Sequence, residues 1–81
     1  MPDTWGDCVI IQLPYPDGVE IVWTPAHAAR LLSESWPVET GVAYTKALNV
    51  CTDAMMGTYP REQARDAFIA AVDEAQIKKL R

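Results

Sequence analysis

Prolines and glycines cut this 81-residue chain into five segments, and the order of those segments leaves few folds open to it. Pro14, Pro16 and Gly18 interrupt the first stretch, Pro25 opens the next, Pro37 and Gly41 close it, and Gly57 with Pro60 divides the remainder. A proline ring fixes φ and removes a backbone donor, whereas glycine reaches positive φ without a steric penalty. Regular elements therefore start and stop at these points.

The two segments before Pro25 read as strands. Cys8 to Leu13 is rich in β-branched residues, and Val19 to Trp23 is a second such run. Pro14 and Pro16 cannot donate ladder hydrogen bonds, and Asp17-Gly18 tolerates positive φ, so residues 7–23 form a β-hairpin with a wide loop from Pro14 to Gly18. Side chains alternate along a strand, which sends Val9, Ile11 and Leu13 to one face and Cys8 and Ile10 to the other. Val22 of the second strand is assigned to the face of Cys8 and Ile10, so both faces of the hairpin are apolar.

Residues 25–77 read as three helices. Thr24 can cap the first free N–H groups of a helix running from Pro25 to about Ser35, with Ala28, Ala29, Leu31 and Leu32 on one arc and His27, Arg30 and Glu34 opposite. Trp36 extends its apolar side. A second helix is expected from Thr40 to Met56, ended by Gly57 in the left-handed conformation. Its apolar arc holds Ala43, Tyr44, Ala47, Leu48, Val50, Cys51, Ala54 and Met55 and covers about 160°, which is more than one neighbour can bury, so this helix is central. The third helix opens at Pro60, with Glu62 at its positive end and Lys78, Lys79 and Arg81 trailing from its negative end. Its core arc is Ala64, Ala67, Phe68, Ala71, Val72 and Ala75, with Arg65 at the edge and Ile69 just outside. The fold class is α+β, one domain over residues 1–81, in the order ββααα.

Charge and cysteine usage narrow the function classes. A net charge of −4 sets the chain against polyanions unless basic residues cluster locally, so nucleic-acid binding ranks last. Cys8 and Cys51 form neither a C-x-x-C pair nor a disulfide framework, which implies reduced thiols and a cytoplasmic setting. No basic segment followed by an apolar run opens the chain, and no apolar run approaches membrane-spanning length, so neither secretion nor a membrane partner is expected.

The succession Leu31-Leu32, Trp36-Pro37, Gly41, Tyr44, Ala47, Cys51, Gly57, Ala64-Arg65, Ala67-Phe68-Ile69, Ala71 and Glu74-Ala75 resembles the domain of unknown function 982 family, from the hairpin to about Ile77. That family comprises short proteins found mainly in rhizobia and related alphaproteobacteria. The resemblance implies no activity, cofactor or site residue.

Chemistry has few candidates. Cys51 and His27 are the only conceivable Cys/His nucleophile pair, but Cys51 falls in the core arc of helix two and His27 on the polar face of helix one, so no catalytic residue is assigned. Cysteines, the single histidine and scattered carboxylates lack metal-ligand spacing, and no cofactor motif is present, so no metal or cofactor site is assigned. Arg61 and Arg65 are one helical turn apart and could contact an anion, although Arg65 at the core edge is better placed to bond carbonyls of its own chain. The three tryptophans have no interleaved basic residues and read as packing groups.

A small, non-catalytic protein-interaction module is thus the leading functional class. Its core is thin at this size, and Cys8, Ile10, Val22 and Ile69 are the candidate contact residues of a homodimer or of an unidentified protein partner. The alternative is a ligand-binding protein or minor enzyme with a pocket near Cys51 and Arg65.

Overall fold

The computed structural model of the chain describes residues 4–13, 18–38 and 40–80. The elements are β1 (Val9–Gln12), β2 (Val19–Val22), α1 (Pro25–Glu34), α2 (Val42–Met55), α3 (Arg61–Glu74) and β3 (Lys78–Lys79). The fold is α+β, with the hairpin and three helices in the order read from the sequence, and the final strand completes an antiparallel sheet of order β2-β1-β3. Arg81 and most of the hairpin loop, residues 14–17, lie outside the described residues; the loop is closed by Leu13 N–H donating to Gly18 O at 2.8 Å.

The hairpin register pairs Val9 with Val22, Ile10 with Ile21, Ile11 with Glu20 and Gln12 with Val19. Directly opposed residues share a face, so Val22 joins Val9, Ile11 and Leu13 in the core. This corrects the assignment of Val22 to the face of Cys8 and Ile10: a one-residue shift in parity along β2 moves every side chain to the opposite side. The helices cover the face that carries Val9, Ile11, Leu13 and Val22, and one buried cluster joins the strands and all three helices.

α2 is the central helix. It packs against α3 on one side and α1 on the other, while α1 and α3 meet little. Tyr44, Ala47, Val50, Cys51 and Ala54 are buried, whereas Met55, expected on the core arc, is about half exposed at the last turn. Alanines at 47, 54, 64, 67 and 71 let α2 and α3 approach closely. At the start of α1, Thr24 Oγ1 accepts from His27 N–H at 3.1 Å. The start of α2 is capped from a distance, where the Glu74 carboxylate at the end of α3 accepts from Ala43 N–H at 3.2 Å and Tyr44 N–H at 3.0 Å. Gly41 makes room for this contact, since a Cβ there would collide with Glu74.

Both long helices end in the same way. After α2, Gly57 (φ 86°) donates to Ala54 O and Thr58 N–H reaches back to Asp53 O, the Schellman arrangement. After α3, Gln76 N–H bonds Asp73 O and Ile77 N–H bonds Val72 O, with Gln76 at φ 58°. Lys78 and Lys79 therefore do not trail from the helix toward its dipole. The chain reverses at Gln76, buried Ile77 anchors the reversal, and Lys79 and Lys78 pair with Ile11 and Gln12.

Phe68 is the largest fully buried side chain. Its ring lies 5.6 Å from that of Trp5 and 5.4 Å from that of Trp36. Trp5 Nε1 donates to Val22 O at 3.2 Å, and its backbone N–H bonds Trp23 O, which holds the Trp5 side chain inside the core. Trp36 Nε1 is buried without an acceptor among the described residues, a cost of about 1–3 kcal/mol against the burial of its ring.

Two stability outcomes follow. Phe68→Ala should cost about 3–5 kcal/mol, enough to unfold most of a chain this small, as read by urea denaturation. Gln76→Gly should instead raise stability by about 0.5–1 kcal/mol, because only the non-glycine residue is strained at φ 58°.

Candidate functional site

All three helices lie on one side of the sheet, and the other side is uncovered among the described residues. Residues with outward parity are Cys8, Ile10 and Gln12 just before and on β1, Val19, Ile21 and Trp23 on and just after β2, and Lys78 and Leu80 at β3. Leu80 N–H donates to Ile10 O at 2.7 Å, which places Leu80 beside Ile10. Val19 is 54% exposed, Ile21 48%, Trp23 49% and Leu80 45%, while Ile10 and Cys8 are half-buried. Scattered exposed hydrophobes are ordinary, but a contiguous group on one sheet face marks an interaction surface. None of these eight positions is acidic, although the chain has 11 acidic residues. Lys78 is their only charged side chain.

Cys8 and Ile10 thus lie on the exposed face as read from the sequence, and Ile21, Trp23 and Leu80 join them. The period-two pattern of Val19, Ile21 and Trp23 was visible in the sequence, but its parity was not. Leu80 was hidden because nothing local marks Lys78-Lys79 as a strand. Ile69 is partly buried against the core on α3, away from this face.

At the sheet edge, Arg65 Nε donates to Asp7 O at 2.8 Å. Arg65, Asp7, Cys8, Ile10 and Trp23 line a recess of about 280 Å³. Arg61 lines different cavities, near Ala54 and Gly57, of about 460 and 350 Å³. The two arginines do not share a site.

Cys51 is fully buried in the core, where its thiol contacts Ala64 O at 3.8 Å. It lines none of these cavities, and none of them joins it to Arg65 among the described residues. Burial pushes its thiol from the usual 9.0 up to about 12, which leaves it protonated and non-nucleophilic at neutral pH. His27 is elsewhere: its Nε2 lies 3.3 Å from Glu20 Oε1, without hydrogen-bond alignment. Among the described residues no three His, Cys, Asp or Glu side chains group as metal ligands, and no helix is long and apolar enough to cross a membrane.

The family model of proteins of unknown function DUF982 matches residues 7–79. The chain belongs to the DUF982 family. The matched DUF982 segment runs from the edge residue Asp7 to Lys79 and so includes all three strands and all three helices. No curated protein and no solved structure matches the chain. The exposed sheet face and the Arg65 recess of this DUF982 protein both fall almost wholly inside the family segment, with only Leu80 beyond it.

The two cysteines should differ sharply. A thiol reagent at pH 8 should label Cys8 in the folded protein and Cys51 only after denaturation, as read by mass spectrometry. The unfolded chain loses the Cys51 proton near 9.0 and the folded chain near 12, so above pH 9 the unfolded state binds fewer protons and stability falls as pH rises. The slope approaches about 1.4 kcal/mol per pH unit within that window, and Cys51→Ala should remove this component from urea denaturation at pH 8 against pH 10.

Proposed function

We propose that this DUF982 protein is a small, non-catalytic interaction module of the cytosol that self-associates through the uncovered face of its sheet. One observation carries the reading: Ile10, Val19, Ile21, Trp23 and Leu80 share a face that no helix covers among the described residues. A second copy is the favoured occupant because the face is apolar at its centre, lacks carboxylates and carries only Lys78. A charged partner would find little to pair with there, whereas a two-fold contact sets one apolar centre on another. The acidic net charge outside the face opposes nucleic acid. Two free cysteines, one in the core, suit a reducing compartment.

The size of the face sets the strength. Two four-residue strands and one of two residues, about 4.8 Å apart and rising about 3.3 Å per residue, present a few hundred Å² at most, short of the ~800 Å² per partner of a standard interface. The dimer is accordingly weak and concentration-dependent.

Sedimentation equilibrium from about 10 µM to about 1 mM tests the reading. The expected mass rises from one chain toward two across that range. Ile21→Asp should weaken association by at least about tenfold with the helical circular dichroism unchanged, because each interface buries that position twice. Val42→Asp, on the most exposed large apolar residue of the helices, should leave association intact. One-chain mass throughout, or a dimer indifferent to Ile21→Asp, would overturn the proposal.

A further inference from the structure

We propose that the recess at the open edge of β1 is a binding site for a small monocarboxylate, with the Arg65 guanidinium taking the carboxylate and Ile10 and Trp23 holding an apolar body. The site does not rest on self-association.

The recess exists because β3 is short. β3 pairs with Ile11 and Gln12, and Leu80 N–H still reaches Ile10 O, but the edge beyond, at Cys8 and Asp7, has no strand against it among the described residues. α3 runs past this open edge, and Arg65 reaches from it to Asp7 O. That bond uses the Nε–H and orients the planar fork. The terminal amino groups have no acceptor and no carboxylate partner among the described residues. An arginine fixed in this way has already lost the side-chain freedom that ligand binding would otherwise cost it, and its paired donors match a carboxylate.

The remaining walls set the ligand class. Ile10, the Cys8 side chain and the half-exposed Trp23 ring offer apolar contact, and about 280 Å³ suits a single ring or a short aliphatic chain rather than a nucleotide. Arg65 is the only basic residue of the lining and Asp7 brings one opposing charge, on a chain of net charge −4. Arg65 can offset one negative charge and the lining holds no second cation for another, while Asp7 repels the excess, so a monocarboxylate is favoured over a phosphate. A purely structural role, capping the free sheet edge, accounts for the Nε bond; it does not account for an open cavity that Arg65 lines together with Ile10 and Trp23.

The test is titration of benzoate, hexanoate and inorganic phosphate into isotope-labelled protein at pH 7, followed by amide and indole chemical shifts. Saturable shifts at Cys8, Ile10 and the Trp23 indole with both carboxylates, and phosphate at least about threefold weaker, are expected. Arg65→Lys, which keeps the charge and removes the fork, should weaken benzoate binding at least about fivefold while the rest of the spectrum is retained. Asp7→Asn should strengthen it about two- to fivefold, a gain that damage to the fold could not produce. The same titration on the Val19→Asp chain, charged at the far end of the sheet face, should give shifts at least as large, because Ile10 and Trp23 belong to both the face and the recess and weaker association leaves them open. The proposal is overturned by no saturable shift up to about 20 mM carboxylate, equal binding by Arg65→Lys, phosphate binding as tightly as benzoate, or loss of the shifts in Val19→Asp.

Discussion

The ring of Phe68 between Trp5 and Trp36 is the contact on which the rest of the structure depends. It draws together three parts of the chain that have no local reason to meet: the segment before β1, the turn after α1 and the middle of α3. Half of the buried residues on α2 and α3 are alanines, which bury little area each, so the aromatic trio provides much of the large apolar volume in the core. Because Trp5 is held inside, bonded to Val22 O and to the Trp23 backbone, it cannot fold over the outer sheet face. The inward Trp5 and the exposed Trp23 are two consequences of one packing choice.

A second layer of order comes from the ends of the helices. Glu74 sits at the negative end of α3, where its charge is unfavourable for that helix, but it lies at the positive end of α2 and satisfies two of its free N–H groups. The cap thereby locks the two helices end to end and requires glycine at 41. Two residues later the chain turns at Gln76, commits Ile77 to the core and adds β3 to the sheet. Leu80 reaches the outer face through that turn, and the shortness of β3 leaves the edge that Arg65 occupies. Surface and recess are both products of how α3 ends.

The chemistry of the chain is distributed in keeping with this architecture. Cys51, the thiol nearest the centre of the family's sequence pattern, acts as a small hydrophobe whose burial holds it protonated. Cys8, at the less conspicuous position, is the accessible one and lies beside Arg65. The accessible thiol and the recess arginine therefore lie beside the sheet, whose inner face the helical layer covers.

The order of elements, their approximate ends and the centrality of α2 were legible in the sequence because each depends on local terms: β-branched runs, Thr24-Pro25, the glycine at 57 and an apolar arc too wide for one neighbour. Core residues on the helices followed from the 3.6-residue period, and Ala28, Leu31, Cys51, Phe68 and Val72 are buried where the wheel puts them. The face of Val22 was not legible, because strand parity is fixed by a loop register that the alternation alone does not specify. Nor was β3, since Lys78-Lys79 has no strand propensity and pairs only because the turn at Gln76 delivers it to the open edge of β1. Glu74 over α2, Arg65 on Asp7 and Trp5 against Phe68 join residues far apart in the chain, and only the closing of the tertiary structure brings their atoms within bonding distance. Sequence by itself determined what each segment becomes; tertiary structure decided which face is left uncovered, because that depends on long-range contacts and on the one-residue parity of a strand.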